Sequence, residues 1–308
     1  MPKLIVILGP TASGKTGLSL KLAKKFGGEI VNADSRQVYK KMDIGTGKVE
    51  NKKGVRHYLL DVVNPDEEFT LAGYKKKAVA AIDHILKRGK TPFLVGGTGL
   101  YIQAIVDNLT IPSVPPNKKL RTEFEHELAK AKELGIKKYE LRVLEKWFKK
   151  LLKLDPCVKD VVDAKNPRRI IRALEICLAT GRPFSKMRGK GEPLFHALQL
   201  GITMPREKLY KNIDDRVDEM IKDGLIEETK KLLKKYNPNI PSMSGIGYKE
   251  IGDYLGGSYD LDEAAEKIKF RTHAYARRQM TWFRRGKRIK WIKNYKEAER
   301  KIGKWLNG

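Results

Sequence analysis

Leu4-Ile5-Val6-Ile7-Leu8-Gly9-Pro10-Thr11-Ala12-Ser13-Gly14-Lys15-Thr16 stands near the head of the chain. Five apolar residues, with β-branched members among them, read as a buried strand. Gly9 to Thr16 then match Gly-x-x-x-x-Gly-Lys-Thr. A helical pattern follows, with Leu18, Leu22, Ala23 and Phe26 on one face and Gly27-Gly28 as its stop. Strand before and helix after make this a P-loop. Its backbone N–H groups and the helix N-terminus form a concave anion site. Lys15 adds a point charge, and the Thr16 hydroxyl is a ligand for Mg²⁺. Such a site predicts a bound di- or triphosphate and leaves open what happens to that phosphate.

Outward from the loop, Glu29-Ile30-Val31-Asn32-Ala33 reads as a second strand and delivers Asp34-Ser35-Arg36-Gln37 at its C-terminal end. Ligands of open parallel sheets bind at those strand ends, so Asp34 is predicted beside the phosphate site. Met42 to Lys48 reads as a glycine-rich loop, His57 to Val63 as a strand and Asn64-Pro65-Asp66 as a turn. Thr70 is the predicted N-cap of a helix carrying Leu71, Tyr74, Ala78, Ile82, Ile85 and Leu86, with Phe69 stapling onto Tyr74. Thr91 to Val95 is another strand, running into Gly96-Gly97-Thr98-Gly99-Leu100-Tyr101. The alternation predicts α/β architecture with a parallel sheet.

The rhythm breaks at the proline-rich joint Ile111 to Pro116. From Asn117 to about Arg182 only helical pattern is present. Leu120, Phe124, Leu128 and Ala131 form one face; Leu144, Trp147, Phe148, Leu151 and Leu152 form another. Asn166-Pro167 opens a third helix, closed by Thr180-Gly181. Leu194 to Ile202 looks like a returning strand. The expected organisation is a core from residues 1–112 and 194–308 with an all-helical insertion at 113–193. Further on, Arg206 to Tyr236 is a helix pair joined near Gly224, and Asp262 is expected to cap a long helix ending near Arg285. Arg288 to Lys293 reads as a last strand.

Lysine and arginine number 64 against 37 acidic residues, a net charge of +27 in 308 residues. A polyanionic partner, RNA or DNA, is the physical reading of such an excess. A charge-rich surface adapted to heat is the plainer reading, but it favours both signs together. The two cysteines, Cys157 and Cys177, form no Cys-x-x-Cys, which excludes a zinc finger and suggests a reducing compartment. The apolar start ends after five residues in a functional loop, which speaks against a signal peptide, and no stretch approaches membrane-spanning length. The expectation is a cytoplasmic, monomeric protein with no membrane partner.

Two side chains stand open between readings. Asp34 is either an N-cap for Ser35 to Lys40, a contact to Mg²⁺ through water, or a general base acting on an acceptor. Arg216 is either a solvated helical arginine or a charge that neutralises a leaving phosphate. Arg168-Arg169-x-x-Arg172 and the basic run Arg277 to Arg288, interleaved with Trp282 and Phe283, are candidate RNA contacts. The five histidines lack metal-ligand spacing.

Together, Gly9 to Thr16, Asp34-Ser35-Arg36-Gln37-Val38-Tyr39, Met42-Asp43-Ile44-Gly45-Thr46, Val95 to Tyr101, Arg172-Ala173-Leu174-Glu175, Gly245 to Glu250 and Arg278 to Arg284 closely resemble the tRNA dimethylallyltransferase family. The segments run in family order across nearly the whole chain. Gly47-Lys48-Val49 departs from the Ala-Lys-Pro common in the family. The resemblance implies a P-loop-kinase-like core, dimethylallyl diphosphate as donor and Mg²⁺ as cofactor. The acceptor it implies is N6 of adenosine 37 in tRNAs reading codons that begin with U. It also implies that Gly9, Pro10, Thr11, Ala12, Ser13, Gly14, Lys15 and Thr16 hold the diphosphate and that Asp34 is the base. Thr11, Lys15 and Arg216 would act on the leaving group. Asp34, Ser35, Arg36, Gln37 and Thr98 would contact the target nucleotide. Arg121, Arg168, Arg169, Arg172, Gly245, Gly247, Tyr248, Lys249, Arg278 and Gln279 would contact the anticodon stem-loop. Three other readings are a small-molecule kinase, an enzyme prenylating free adenine nucleotides, and a non-catalytic RNA-binding module.

Overall fold

The computed structural model describes residues 1–49, 52–187 and 189–308. In chain order the first elements are β1 (Lys3–Leu8), α1 (Lys15–Lys25), β2 (Gly28–Asn32), β3 (His57–Tyr58), α2 (Leu71–Lys87), β4 (Thr91–Gly96) and α3 (Gly99–Val106). Then come β5 (Leu109–Thr110), α4 (Lys118–Glu133), α5 (Lys137–Leu154), a 3₁₀ turn at Pro156–Asp160, α6 (Pro167–Thr180), α7 (Phe184–Met187) and β6 (Gly189–Lys190). The chain ends with β7 (His196–Ile202), α8 (Arg206–Lys222), α9 (Leu225–Leu233), α10 (Tyr248–Leu255), α11 (Leu261–Arg284), β8 (Ile289–Ile292) and α12 (Tyr295–Asn307). It divides into two compact units, Met1–Asp107 with Pro193–Gly308, and Asn108–Glu192. Among the described residues no helix is long and apolar enough to cross a membrane.

The first unit is built on a six-stranded parallel sheet in the order β3-β2-β4-β1-β7-β8. β1 lies between β4 and β7, with Ile5 facing Phe93 on one side and Leu198 on the other. Leu4 to Leu8 are all essentially inaccessible, which explains the unbroken apolar run: both faces of a parallel sheet are covered. Leu4, Val6 and Leu8 enter a core with α2 and α3, while Ile5 and Ile7 enter a second core with α1 and α12. A third core joins α8 to α11 through Val217, Leu225, Tyr248, Ile251 and Ile268. Thr70 caps α2 as expected, accepting from Gly73 N at 3.1 Å.

Three expectations change here. The strand predicted over His57 to Val63 stops at Tyr58, because Leu59 and Asp61 take left-handed φ values of 63° and 55°. Asn32 Nδ2 holds the Leu59 carbonyl and Lys48 Nζ holds Asp61, so the chain turns instead of extending. The cap of α11 is Asp260, whose Oδ1 accepts from Glu263 N at 2.8 Å; Asp262 sits inside the first turn. α12 has no counterpart in the expectations, yet Asn294 caps it and Ala298 and Ile302 seat it on the sheet.

The second unit is mainly helical, with Phe124, Leu128, Leu144, Trp147, Leu151, Ile170 and Leu174 in its core. It is not wholly helical: β5 and β6 form a two-residue antiparallel ladder. That pairing starts the unit ahead of the Ile111 to Pro116 stretch. At its centre Glu175 is fully buried, its carboxylate taking Asn117 N at 2.9 Å, Arg121 Nε at 2.7 Å and Arg172 Nη1 at 3.2 Å. Burial pushes the carboxyl pKa up, but these donors hold it below its ordinary value. Glu175→Ala leaves two guanidinium groups facing a vacated site, and we expect about 2–4 kcal/mol of destabilisation, since both arginines keep contact with solvent. Hydrogen exchange of the α4 to α6 amides measures it, with Glu175→Gln losing less.

Candidate active site

The loop Gly9 to Lys15 turns back over the C-terminal end of β1. Gly14 caps α1 with φ 80°, a left-handed geometry that suits a residue without Cβ. Ala12 is also left-handed, at φ 57°, strain of the kind stored at functional loops. Two helices hold this loop from above. α11 places Gln279 inside, where its Oε1 accepts from Thr11 N at 2.8 Å and its Nε2 donates to Gly97 O at 2.9 Å. α8 places Asn212 and Arg216 on one face, four residues apart. Asn212 Nδ2 donates to Ala12 O at 3.2 Å, and Arg216 Nη1 lies 3.5 Å from Thr11 Oγ1.

The electrostatics are those of an anion site. Lys15 is half-buried, with its Nζ on Pro10 O at 2.5 Å. Burial lowers its pKa to about 8; Asp34 opposes the shift and Arg216 adds to it. Burial also lowers the Arg216 pKa, again opposed by Asp34. Two cations and one carboxylate thus share a desolvated space, and an incoming anion relieves the cost of charging Lys15. Ser13 Oγ is buried without a partner among the described residues, an orphan of the kind a phosphate oxygen satisfies. Among those residues no group of three or more His, Cys, Asp or Glu forms a metal cluster.

Asp34 is not a helix cap. Ser35 to Lys40 is irregular, and Asp34 Oδ1 accepts from Arg36 N at 2.9 Å in an Asx turn. Asn32 Oδ1 fixes the base of the turn through Asp34 N at 3.2 Å. Thr98 Oγ1 accepts from Ser35 N at 3.0 Å and donates to Ser35 Oγ at 3.3 Å. Tyr101 and Tyr275 stand close enough to Asp34 for its charge to add to burial in raising both phenols, which stay neutral donors.

Two openings flank Lys15 and Arg216. A cleft of about 520 Å³ is lined by Ala12 to Thr16 with Met204, Asn212, Asp215, Arg216 and Glu219. A smaller pocket of about 80 Å³ carries Thr11, Asp34 and Gln37 on its polar side and Ile30, Val49, Leu60 and Val95 on its apolar side. Thr16 borders both. His57 also borders the smaller pocket, its Nδ1–H donating to Val55 O at 2.8 Å.

The structure therefore brings together Thr11, Lys15, Thr16, Asp34, Gln37, Arg216 and Gln279. It gives other roles to several residues expected on the RNA. Tyr248 is 2 % exposed with its hydroxyl donating to Glu228, so its ring presents no surface. Gly245 and Gly247 are buried, and Glu250 caps Gly247 N at 2.7 Å. Gln279 bridges the P-loop to Gly97 and does not face solvent. Arg36 donates to Pro241 O and Ser242 O, and Arg121 and Arg172 face Glu175. Lys249, Arg168, Arg169 and Arg278 are exposed. Asn212 and Tyr275 were not expected; the one legible trace was the spacing of Asn212 from Arg216.

A profile of the IPP transferase family matches residues 37–286. The tRNA dimethylallyltransferase of Pelotomaculum thermopropionicum is 43% identical over 96% of this chain and 93% of its own length. That of Roseiflexus is 46% identical, over 92% and 91%. The full-length tRNA isopentenylpyrophosphate transferase of Bacillus halodurans superposes with a TM-score of 0.71 at 37% identity, covering 100% of this chain and 96% of that one. A eukaryotic dimethylallyltransferase acting on tRNA superposes at 0.73 with 32% identity, covering 92% of this chain and 70% of that one. With a P-loop, a carboxylate at the end of β2 and an arginine from α8 in one site, this chain belongs to the IPP transferase family.

Proposed function

We propose that the protein transfers a dimethylallyl group from dimethylallyl diphosphate to N6 of adenosine 37 in tRNAs reading codons that begin with U, releasing diphosphate. The observation that carries this reading is the juxtaposition of Asp34 with the Lys15–Arg216 anion site. A kinase site has to stabilise a transferred phosphoryl group. Here a proton acceptor stands beside the cradle, which suits deprotonation of a nucleophile attacking the carbon that carries the diphosphate.

The adenine N6 lone pair forms the new bond to C1 of the donor as the C1–O bond breaks, its electron pair leaving with the diphosphate. The N6 proton passes to the Asp34 carboxylate. The P-loop amides, Ser13 Oγ, Lys15 and Arg216 receive the growing charge. Thr11 Oγ1, with Arg216 Nη1 3.5 Å away, would be the hydroxyl that meets the bridging oxygen. The apolar wall of Ile30, Val49, Leu60 and Val95 suits a five-carbon group and excludes water from the allylic carbon. Thr16 fits Mg²⁺ as a single hydroxyl ligand beside substrate oxygens and water, since a hard cation keeps several waters and needs no acidic cluster. When bound, Mg²⁺ neutralises leaving-group charge. The acceptor base leaves its stack to reach such a site, at a cost of roughly a few kcal/mol that basic phosphate contacts offset. A tRNA substrate supports a cytoplasmic location for this activity.

The test uses two transcripts of one tRNA, carrying adenosine or guanosine at position 37, with AMP as a third acceptor. N6-dimethylallyladenosine from the adenosine transcript alone is the expected result. Prenylation of AMP transfers the reading to free nucleotides.

Lys15 also makes donor binding pH-dependent. Its pKa in the ligand-free protein is about 8, below the ordinary lysine value, so above that pH it is neutral until an anion recharges it. The unfolded chain holds this proton up to about pH 10.5, so stability of the ligand-free protein rises between about pH 8 and 10.5. Affinity for inorganic diphosphate runs the other way. It falls by up to about tenfold per pH unit above about pH 8, with proton uptake on binding. Calorimetry in two buffers of different ionisation enthalpy reads both, and Lys15→Arg, which stays charged, flattens the profile.

A further inference from the structure

The loop Met42 to Lys48 is irregular, yet it is fixed at both ends and in the middle. At its start three consecutive amides converge on one carboxylate. Glu228 Oε2 accepts from Asp43 N and Ile44 N, each at 2.9 Å, and Oε1 accepts from Gly45 N at 3.1 Å. Tyr248 donates its hydroxyl to the same Oε1 at 2.6 Å. Burial and Glu228 together raise the Tyr248 phenol far above its ordinary value, so it remains a donor. In the middle, Gln37 Nε2 donates to Thr46 O and Gly47 O at 3.2 and 3.1 Å. At the far end Lys48, its side chain only 6% exposed, donates to Tyr39 O at 2.5 Å, Asp61 at 2.6 Å and Asp43 at 2.7 Å.

What this loop touches gives the arrangement its meaning. Gly47 has φ 58°, and a Cβ built on it would fall 1.7 Å from Arg216 Nη2. The guanidinium lies against the bare Cα, with Thr11 Oγ1 3.5 Å away. A row of successive N–H groups is an anion nest, and filling it with a carboxylate fixes the backbone angles of those residues. Charge-assisted bonds of this kind are about twice as strong as neutral ones.

We propose that Glu228 is a positioning residue for the diphosphate site: by filling the Asp43–Gly45 nest it sets the loop that seats Arg216 through Gly47. The inference rests on the reading of Arg216 as a leaving-group contact. Glu228→Gln is nearly isosteric, but its NH₂ takes the place of one oxygen: at the Oε2 position the Asp43 and Ile44 bonds are lost, at the Oε1 position the Gly45 bond, and the charge goes in either case.

The probe is inorganic diphosphate, measured by calorimetry on the full chain as wild type, Glu228→Gln, Arg216→Ala and the double variant. Glu228→Gln is expected to weaken diphosphate by about tenfold, with KM for tRNA unchanged within about twofold. The double variant should bind no worse than Arg216→Ala alone, because Glu228 acts through that arginine. Wild-type affinity in Glu228→Gln, or losses that multiply in the double variant, overturns the proposal. Should Glu228→Gln fail to fold, Gly47→Ala reads the same coupling from the loop side and must likewise be non-additive with Arg216→Ala. Transfer by the wild type tests the enzyme assignment separately, so the two failures are distinguishable.

Discussion

Asp34→Asn is expected to lower the rate of prenyl transfer by about 10²–10⁴-fold while tRNA affinity stays within about twofold. The asparagine keeps the shape of the Asx turn, since its oxygen still accepts from Arg36 N, held at 2.9 Å in the native turn. Only the proton acceptor is lost. An exocyclic adenine amine is a poor nucleophile, its lone pair drawn into the ring, so removal of its proton during attack matters. The effect on turnover separates two roles. If Asp34 served merely as a neighbour of Lys15 and Arg216, removing its negative charge would tighten diphosphate and leave turnover largely intact. The base role predicts that kcat collapses while the KM for the donor holds or falls. Single-turnover rates at saturating donor make the distinction, and a variant with native rates removes Asp34 from the chemistry.

Arg216→Ala is expected to cost about 10²–10³-fold in kcat. The guanidinium is desolvated between Gly47 and Thr11, where a charge is worth more than in water. On the proposed reaction it would answer the charge that accumulates on oxygen as C1–O breaks, so its loss should fall on kcat more than on donor binding. Arg216→Lys returns part of the rate only. A compact ammonium keeps the charge but cannot lie flat on Gly47 and reach the Thr11 hydroxyl together. An alanine variant with weakened donor KM and unchanged kcat would assign Arg216 to uniform binding.

Much of this site was legible in the chain because its parts are local. The apolar run Leu4 to Leu8 alternates between two covered faces, and a parallel strand before a Gly-Lys-Thr loop has few other readings. Asp34 follows β2 by two residues, so the sheet rule alone delivered it to the ligand edge. The returning strand expected over Leu194 to Ile202 runs His196–Ile202. What escaped is held by distant partners. The stretch after Tyr58 has the apolar composition of a strand, but Asn32 and Lys48 bend it. Gln279, grouped with RNA contacts, reaches 268 residues back to Thr11. Glu228 closes a loop 183 to 185 residues earlier, a pairing that no local periodicity encodes. α12 carried legible marks, an Asn294 cap with Glu297 three residues on, but charged residues mask its short apolar stripe.

On the proposed reaction the P-loop holds a leaving group and not a group to be transferred. One reaction tests it: dimethylallyl diphosphate and unmodified tRNA with Mg²⁺, inorganic diphosphate and N6-dimethylallyladenosine being quantified together over time. The two products are expected in equal amounts, with no dependence on ATP. Phosphorylation of any acceptor at the expense of ATP, without release of diphosphate from the prenyl donor, would contradict it.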